Sequence, residues 1–223
     1  MMKKLAVFDM AGTTIDDRDE VYRVLREATE RFGARYTDEQ FQHFMGTEKK
    51  YAIHKLFEIG GVDVTDELVD EAWQWFREEL RRTYTKVAPT PLPGVEDALR
   101  ALRSRGVKVA LTTGFSREIA DIILTAMGWD ESLLDATCTG DEVEVGRPEP
   151  FMIQEVMKKL GITDTAEVIS VGDTAADVES AQRAGVTSVG VLTGHVTAEQ
   201  FTEYGADLVL SSASDLPAHE VMA

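Results

Sequence analysis

The sequence predicts an α/β protein, with a parallel sheet covered by helices on both faces and an all-helical cap inserted after the first strand. Three observations lead to this prediction. Short β-branched runs bounded by Gly, Asp or Ser alternate with segments of helical spacing over most of the chain. One long stretch near the N-terminus has helical spacing alone. A Pro-rich segment then returns the chain to the alternating pattern.

The predicted core elements follow in chain order. Strands are expected at residues 4–8 (KLAVF), 107–112 (VKVALT), 168–172 (VISVG), 187–192 (TSVGVL) and 207–211 (DLVLS). Helical spacing covers residues 95–105, 117–127, 150–160 and 175–184. This alternation is typical of a Rossmann-like parallel sheet, whose ligands bind beyond the carboxyl ends of the strands. Asp9, Thr113 and Asp173 fall at those ends.

The cap is predicted over residues 17–89, where no convincing strand is present. Four stretches there place apolar residues three and four apart: DEVYRVLREATERFG, DEQFQHFM, EKKYAIHKLFEIGG and TDELVDEAWQWFREELRRTYTK. Gly33 and the Gly60 and Gly61 pair provide helix stops. The segment VAPTPLPG holds the chain extended on its return. The core is therefore expected to comprise residues 1–16 and 90–223.

Composition restricts the class of partner. The chain of 223 residues has 40 acidic and 23 basic side chains, a formal charge of -17. Most of the surface would therefore repel nucleic acid and anionic lipid, so neither is an expected partner. A small anionic substrate is compatible with this charge if a metal ion or a few basic groups reverse its sign in one cleft. The single Cys138 and the lack of a long apolar run favour a cytoplasmic protein with no membrane partner.

Four separated pieces of sequence carry chemical groups. Asp9 follows the first strand and could act as a nucleophile or a metal ligand. Thr113 offers a hydroxyl beside accessible backbone donors, and Arg147 offers a cationic fork for phosphate. Asp173 and Asp177 stand four apart at a strand-to-helix turn, so their side chains are expected to share one helix face. Converging carboxylates favour a hard divalent cation, and magnesium is the expected cofactor.

These pieces together resemble the haloacid dehalogenase superfamily over nearly the whole chain. DMAGT resembles its first motif, Thr113 its second, Arg147 its third and GDTAAD its fourth. The helical insertion resembles the cap that this superfamily places between the first two motifs. The resemblance implies an aspartyl-phosphate intermediate on Asp9. It also implies magnesium bound by Asp9, the backbone carbonyl of Ala11 and Asp173, with Asp177 supporting the metal site.

Ala11 departs from the usual DxDGT pattern of phosphatases in this superfamily. There the second Asp acts as general acid and base, a role that a methyl group cannot fill. The forms DxAGT, TTG and GRPxP resemble the phosphonoacetaldehyde hydrolase branch, which cleaves a carbon–phosphorus bond. In that branch a cap lysine forms an imine with the substrate aldehyde, so that the departing electrons settle as an enamine.

The cap stretch FMGTEKKYAIHKLF is similar to the Met-Gly-x-x-Lys substrate loop of that branch. Counting from Met45 and Gly46 places Lys49 at the imine-forming position. Its amine would have to be partly neutral, through burial or the charge of Lys50. In a second interpretation, Lys49 belongs to an ordinary solvated helix face with Glu48, Lys50 and Lys55.

Substrate contacts are expected from Met45, Gly46, Gly114 and Phe115. Two positions differ from the branch. Ala52 stands where a histidine follows the lysine, with His54 two residues further on. Phe115 replaces a tyrosine near the substrate. These changes leave open the physiological substrate, the imine role of Lys49 and the group that activates water.

Three functions follow in order of preference. The first is a magnesium-dependent hydrolase of the phosphonoacetaldehyde type, with Asp9, Lys49, Thr113 and Arg147 as catalytic residues. The second is a phosphomonoesterase for a small metabolite such as phosphoglycolate. The third, of another class, is a phosphoryl-ligand binding protein in which Ala11 has impaired catalysis. The resemblance is also compatible with a homodimer through the cap.

Overall fold

Six parallel strands form the central sheet of the computed structural model, which describes residues 2–223. In chain order they are β1 (Leu5–Phe8), β4 (Lys108–Thr113), β5 (Ala136–Thr139), β6 (Val168–Gly172), β7 (Thr187–Val191) and β8 (Leu208–Leu210). Their order across the sheet is β5-β4-β1-β6-β7-β8. The α/β prediction is confirmed, and all five predicted strands are present. Because β1 lies between β4 and β6, the residues that follow these three strands meet at one edge of the sheet.

The edge strand β5 was not predicted. Its sequence ATCT lacks a run of large β-branched or aromatic residues, and it pairs on one side only, with β4. Two short strands were also missed: β2 (Ile15–Asp16) and β3 (Thr90–Pro91) form an antiparallel ribbon of two residue pairs. No periodicity can be seen in two residues, so only the folded chain reveals this ribbon.

Helices cover both faces of the sheet. The core helices are α5 (Val95–Ser104), α6 (Arg117–Met127), α7 (Phe151–Lys159), α8 (Ala175–Ala184) and the short α9 (Ala198–Glu203). Two large clusters of buried apolar side chains, one on each face, and a small third cluster that includes Phe201 of α9 fill the space between strands and helices. The first four helices were predicted from helical spacing, whereas α9, with six residues, was not.

Four helices are inserted between the two strands of the ribbon. They are α1 (Glu20–Glu30), α2 (Asp38–Gln42), α3 (Lys49–Ile59) and α4 (Asp66–Lys86). α4 is the longest, with 21 residues, and its buried positions recur every three to four residues. α2 is shorter than predicted: its Thr37 capping box fixes the start, and the chain then turns through Gly46 at φ 77°. The prediction of an inserted helical region is confirmed.

Buried contacts of Asp17 and an exposed contact of Arg18 join the two connections between this helical region and the core. Asp17 is only 4% exposed; it accepts hydrogen bonds from the Tyr84 hydroxyl (2.6 Å) and from the Val21 backbone N–H (3.0 Å). Arg18 donates to the backbone oxygen of Val87 (2.9 Å) on the return connection. These contacts fix the two crossing segments to each other. No helix within residues 2–223 combines the length and apolar character that crossing a membrane requires.

Candidate active site

Three buried carboxylates meet at the carboxyl edge of the sheet. Asp9 follows β1, Asp173 follows β6, and Asp177 lies in the first turn of α8. One oxygen of each lies within 4.8 Å of the others. The expectation of one shared helix face was wrong, because α8 begins at Ala175 and Asp173 therefore precedes the helix. The turn at Thr174, rather than the helical period, brings the Asp173 and Asp177 carboxylates together.

Arg147 connects two of these acids. Its Nη2 donates to Asp9 Oδ1 (2.5 Å) and its Nη1 to Asp177 Oδ1. The guanidinium is buried, and its Nε has no hydrogen-bond partner among the described residues. Burial alone would lower the pKa of Arg147, but the carboxylates of Asp177 and Asp9 outweigh it and raise the pKa above its ordinary value. The side chain therefore stays cationic at the centre of the cluster.

The carboxylates repel one another. Burial, followed by the charges of Asp9 and Asp177, raises the pKa of Asp173 well above its ordinary value. Burial also raises the pKa of Asp177 to about 6, although the Arg147 charge acts in the opposite direction. Three carboxylate oxygens within 4.8 Å form the donor set that a hard divalent cation prefers. The residues present therefore fit magnesium, whose charge would relieve this repulsion.

Close packing fixes the Asp173 side chain. Thr13 Oγ1 donates to Asp173 Oδ1 (2.7 Å). A Cβ added at Gly12 or at Gly194 would lie only 2.4 Å or 2.1 Å from Asp173 Oδ2. Both positions must therefore lack a side chain for the carboxylate to occupy this place. Ala11 is buried beside them and carries no polar side-chain atom.

Lys49 reaches the site from the first turn of α3. The side chain is 4% exposed, and its Nζ donates to the Thr47 backbone oxygen (2.8 Å). Burial, followed by the charge of Arg147, lowers the pKa of Lys49 to about 8. Of the two expected causes, burial is therefore the first, whereas the charge of Lys50 does not contribute, because Lys50 is exposed and pairs with Asp70.

The alternative of a solvated helix face is therefore wrong for Lys49, although it describes its neighbours. Lys50 is exposed, and Lys55 forms an exposed ion pair with Glu58 (2.7 Å). His54 lies on the same outer face, 3.6 Å from Glu58. Ala52 is fully buried in the helical region. No histidine on α3 therefore replaces the missing one beside Lys49.

The loop that carries Lys49 packs closely on the core. A Cβ at Gly46 would lie 2.1 Å from Thr174 Oγ1, and one at Gly114 would lie 2.7 Å from the Thr47 backbone oxygen. A Cβ at Gly146 would lie 2.6 Å from Glu48 Cβ. Met45, at the start of this loop, is half-buried. The small residues on both sides let the loop backbone approach the carboxyl edge of the sheet.

Thr113 and Phe115 lie where β4 ends. Thr113 is buried, and its Oγ1 accepts a hydrogen bond from the Phe115 backbone N–H (3.2 Å). The Phe115 ring packs edge-to-face against Tyr84 at a centroid distance of 6.0 Å. Phe115 therefore contributes an apolar surface that joins the core to α4, and it has no hydroxyl to offer a substrate.

Sequence reasoning missed three polar residues of this region. Thr13 binds Asp173, the Thr47 backbone oxygen binds Lys49, and the Tyr22 ring lies 5.9 Å from Lys49 Nζ. The Thr13 role could have been found because it neighbours Asp9 and Ala11 in one tight turn. Tyr22 gave no such signal, since its helical spacing is that of any apolar core position.

The whole chain is similar to proteins of one family. A family profile described as haloacid dehalogenase-like hydrolase matches residues 6–191. A phosphonoacetaldehyde hydrolase from Bacillus cereus is 31% identical over 209 residues, covering 87% of this chain and 77% of the relative. Another phosphonoacetaldehyde hydrolase, from Bacillus cytotoxicus, is 29% identical, and the match covers 97% of this chain and 95% of the relative.

Solved structures show the same fold. A hydrolase from Pseudomonas syringae superposes with a TM-score of 0.86 at 24% identity, and the match covers 97% of both chains. A phosphonoacetaldehyde hydrolase like protein from Oleispira antarctica gives a TM-score of 0.81 at 23% identity, covering 97% of this chain and 90% of the other. The chain belongs to the haloacid dehalogenase-like hydrolases and is phosphonoacetaldehyde hydrolase-like within that family.

Proposed function

We propose that this hydrolase cleaves the carbon–phosphorus bond of a small phosphonate aldehyde of the phosphonoacetaldehyde type. One observation carries the proposal: the Lys49 amine is buried at the catalytic edge, and its pKa is about 8. An amine with that pKa is partly neutral near pH 7 and can attack a carbonyl carbon. The apolar Ala11 is consistent with a leaving group that needs no protonation at oxygen.

The first step forms an imine. Lys49 Nζ attacks the aldehyde carbon, and loss of one water from the adduct gives a protonated imine. Arg147 and Thr113 hold the phosphonate group, because the guanidinium and the hydroxyl can both donate to its oxygens. The positive nitrogen then lies two bonds from the carbon that carries phosphorus.

The second step transfers the phosphoryl group. An oxygen of the Asp9 carboxylate attacks phosphorus, and the carbon–phosphorus bond breaks as the Asp9–phosphorus bond forms. The bond electrons move to the imine nitrogen, which becomes the neutral nitrogen of an enamine. Asp9 now carries an aspartyl phosphate.

Two hydrolyses complete the cycle. The enamine takes a proton at carbon, and one water then releases acetaldehyde and the free Lys49 amine. A second water attacks the aspartyl phosphate and releases phosphate, which restores Asp9. With the water released during imine formation, the net reaction consumes one water per substrate.

Asp9, Asp173 and Asp177 are the side chains that would hold magnesium, with the backbone carbonyl of Ala11. When bound, the metal supplies positive charge against the phosphoryl oxygens and the carboxylates.

The substrates that we expect are small phosphorylated or phosphonate anions. We also predict that two chains can pair through the cap, which measurement of the mass of the protein in solution would check.

The test is phosphate release from phosphonoacetaldehyde with magnesium, with and without borohydride, followed by intact mass. Borohydride should inactivate the enzyme in the presence of substrate and leave a reduced adduct on Lys49. Lys49→Arg should abolish turnover, because guanidinium forms no imine, whereas the matched control Lys50→Arg should leave it unchanged. Turnover by Lys49→Arg would contradict the proposal.

A phosphomonoesterase is the second candidate, because a Lys49 pKa of about 8 leaves most of the amine protonated near pH 7, where it can donate to an anionic substrate as well as to the Thr47 backbone oxygen. In that case Lys49 acts as a cationic contact for the substrate. Lys49→Arg would then weaken binding but retain turnover of a small phosphate ester such as phosphoglycolate. No borohydride adduct would form.

A further inference from the structure

Tyr22 lies where the inserted helices meet the core. It is the third residue of α1, and its side chain is 9% exposed. The ring packs edge-to-face against Phe41 of α2 at 6.3 Å and against His195 of the core at 6.1 Å, both measured between ring centroids. Contacts from two sides therefore fix the ring plane.

The same ring forms one wall beside the Lys49 amine. Lys49 Nζ lies 5.9 Å from the centroid of the Tyr22 ring. The amine donates to the Thr47 backbone oxygen on another side. A carbonyl carbon bonded to Nζ would therefore lie within reach of groups on the Tyr22 ring.

The Tyr22 hydroxyl is the unusual feature. Two other tyrosine hydroxyls of the helical region are bonded within the protein: Tyr36 to Thr29 (2.5 Å) and Tyr84 to Asp17 (2.6 Å). Among the residues described, no hydrogen bond joins the Tyr22 hydroxyl to another group. Nor is it one of the fully buried side-chain atoms without a partner, which among the residues described are Arg77 Nε, Ser116 Oγ and Arg147 Nε. The Tyr22 hydroxyl therefore keeps some access to solvent and is available to a bound molecule.

Its chemistry is that of a neutral donor. Burial, followed by the carboxylates of Asp173 and Asp9, raises the pKa of Tyr22 well above its ordinary value. The hydroxyl therefore keeps its proton at all working pH values and can donate a hydrogen bond without transferring the proton. An acceptor oxygen on the substrate suits this donor.

Five other residues of this region cannot donate this hydrogen bond. Ala52 is fully buried and apolar, and Phe115 turns its ring towards Tyr84. Ala11 has only a methyl group. The hydroxyls of Thr47 and Thr13 are already bonded, to the Phe44 backbone oxygen and to Asp173.

The geometry points to Tyr22 as a catalytic residue whose hydroxyl donates a hydrogen bond to the carbonyl oxygen of the aldehyde during attack by Lys49. This inference rests on the proposed function. It assigns to α1 a contact that selects substrates with a carbonyl oxygen next to the phosphonomethyl group. The hydrogen bond strengthens as negative charge develops on that oxygen, so it favours the transition state over the bound substrate.

Tyr22→Phe tests the inference because it removes one oxygen atom and keeps the ring. Tyr36→Phe is the matched control, since it removes a tyrosine hydroxyl from the same helical region. We expect Tyr22→Phe to lower kcat/KM for phosphonoacetaldehyde by roughly 10- to 100-fold. The rate of borohydride trapping at Lys49 should fall in parallel. The melting temperature should not fall, because the hydroxyl has no partner in the described protein.

Inhibition by inorganic phosphate locates the contact. Its inhibition constant should be the same for wild type and Tyr22→Phe, because phosphate has no carbonyl oxygen. If the inhibition constant of phosphate rises in Tyr22→Phe by the same factor as kcat/KM falls, the hydroxyl contacts the phosphoryl group, and the inference is overturned. Unchanged turnover and trapping in Tyr22→Phe would also overturn it, while the proposed function would stand. A wild-type enzyme inactive on phosphonoacetaldehyde would overturn both.

Discussion

Lys49 determines how the proposed reaction depends on pH. Its pKa is lowered to about 8, so the reactive neutral amine is the minor form below pH 8 and the major form above it. We expect kcat/KM to rise about tenfold per pH unit on the acid side and to level off near pH 8. Steady-state rates between about pH 6 and pH 9.5 would measure this rise, the acid limb of the pH profile. Lys50→Arg should retain the limb, and a flat profile would contradict the role of the neutral amine.

If magnesium binds the three carboxylates as proposed, Asp173 couples metal binding to stability. Because its pKa is raised in the folded state, the ionised carboxylate destabilises the metal-free protein above that pKa, and this effect disappears as the pH falls. Asp173→Asn should therefore raise the melting temperature of the metal-free protein near pH 8, with a smaller gain at pH 5. Asp63→Asn, an exposed change of equal charge, should have little effect at either pH.

The same substitution should remove the stabilisation by magnesium. Wild type should gain about 2.7 kcal/mol when magnesium is about 100-fold above its Kd. Asp173→Asn lacks one of the three clustered carboxylates, so its gain should be much smaller. Thermal unfolding with and without magnesium measures both quantities, and an equal gain in the two proteins would remove Asp173 from the metal site.

At the scale of elements, periodicity allowed most helices and strands to be predicted. α4 repeats its helical spacing over 21 residues and β6 is an apolar, β-branched run that ends at a glycine, and both lie where those patterns placed them. β5 and the β2–β3 ribbon were missed because their residues are few or polar and their pairing depends on tertiary contacts. Asp173 and Asp177 lie close together as predicted, but the turn at Thr174, rather than a shared helix face, is the reason.

The loop between α2 and α3 tests how the two parts of the protein fit together. Gly146→Ala would place a Cβ 2.6 Å from Glu48 Cβ, so the loop and Lys49 should be displaced from the carboxyl edge of the sheet. We expect kcat/KM to fall by roughly 10- to 100-fold. Gly140→Ala is the matched control, because its added Cβ would lie 3.3 Å from the Gly114 backbone oxygen, a tight contact that a shift of a few tenths of an ångström relieves.

Restoring space opposite the new methyl group checks that this loss is steric. Glu48→Gly removes the opposing Cβ, and glycine is tolerated at a helix N-cap. The double variant Gly146→Ala with Glu48→Gly should therefore recover part of the activity lost in Gly146→Ala. Failure to recover any activity would argue against the contact as the cause.

The Asp17–Tyr84 hydrogen bond joins the two connections between the helical region and the core. Tyr84→Phe leaves the buried Asp17 carboxylate with one donor fewer, so we expect a loss of about 1 to 3 kcal/mol in the free energy of unfolding. Urea unfolding measures the loss. Tyr51→Phe, which changes an exposed ring, should stay within about 0.5 kcal/mol of wild type.

At the scale of the whole molecule, the net charge of -17 and the proposed anionic substrate are opposed. The fold places two cations, Arg147 and Lys49, inside the cleft, one from the core and one from the inserted helices. The three carboxylates of the cleft outnumber them, so magnesium would supply the further positive charge that an anionic substrate needs. The Lys49 cation is present only while the helices rest on the core. Contacts that hold the two parts together therefore also affect the charge that the substrate meets.

Glu118 of α6 provides such contacts, because it pairs with Arg77 (2.8 Å) and lies 3.9 Å from Arg81, both on α4. Exposed pairs contribute about 0.2 to 1 kcal/mol each, so Glu118→Ala should lower kcat/KM about two- to fivefold at low ionic strength. The ratio to wild type should approach one at about 1 M salt, where such pairs are screened. Glu155→Ala, which breaks an exposed pair within α7 alone, should match wild type at both ionic strengths. A Glu118→Ala deficit that persists at high salt would show that the side chain acts through packing rather than charge.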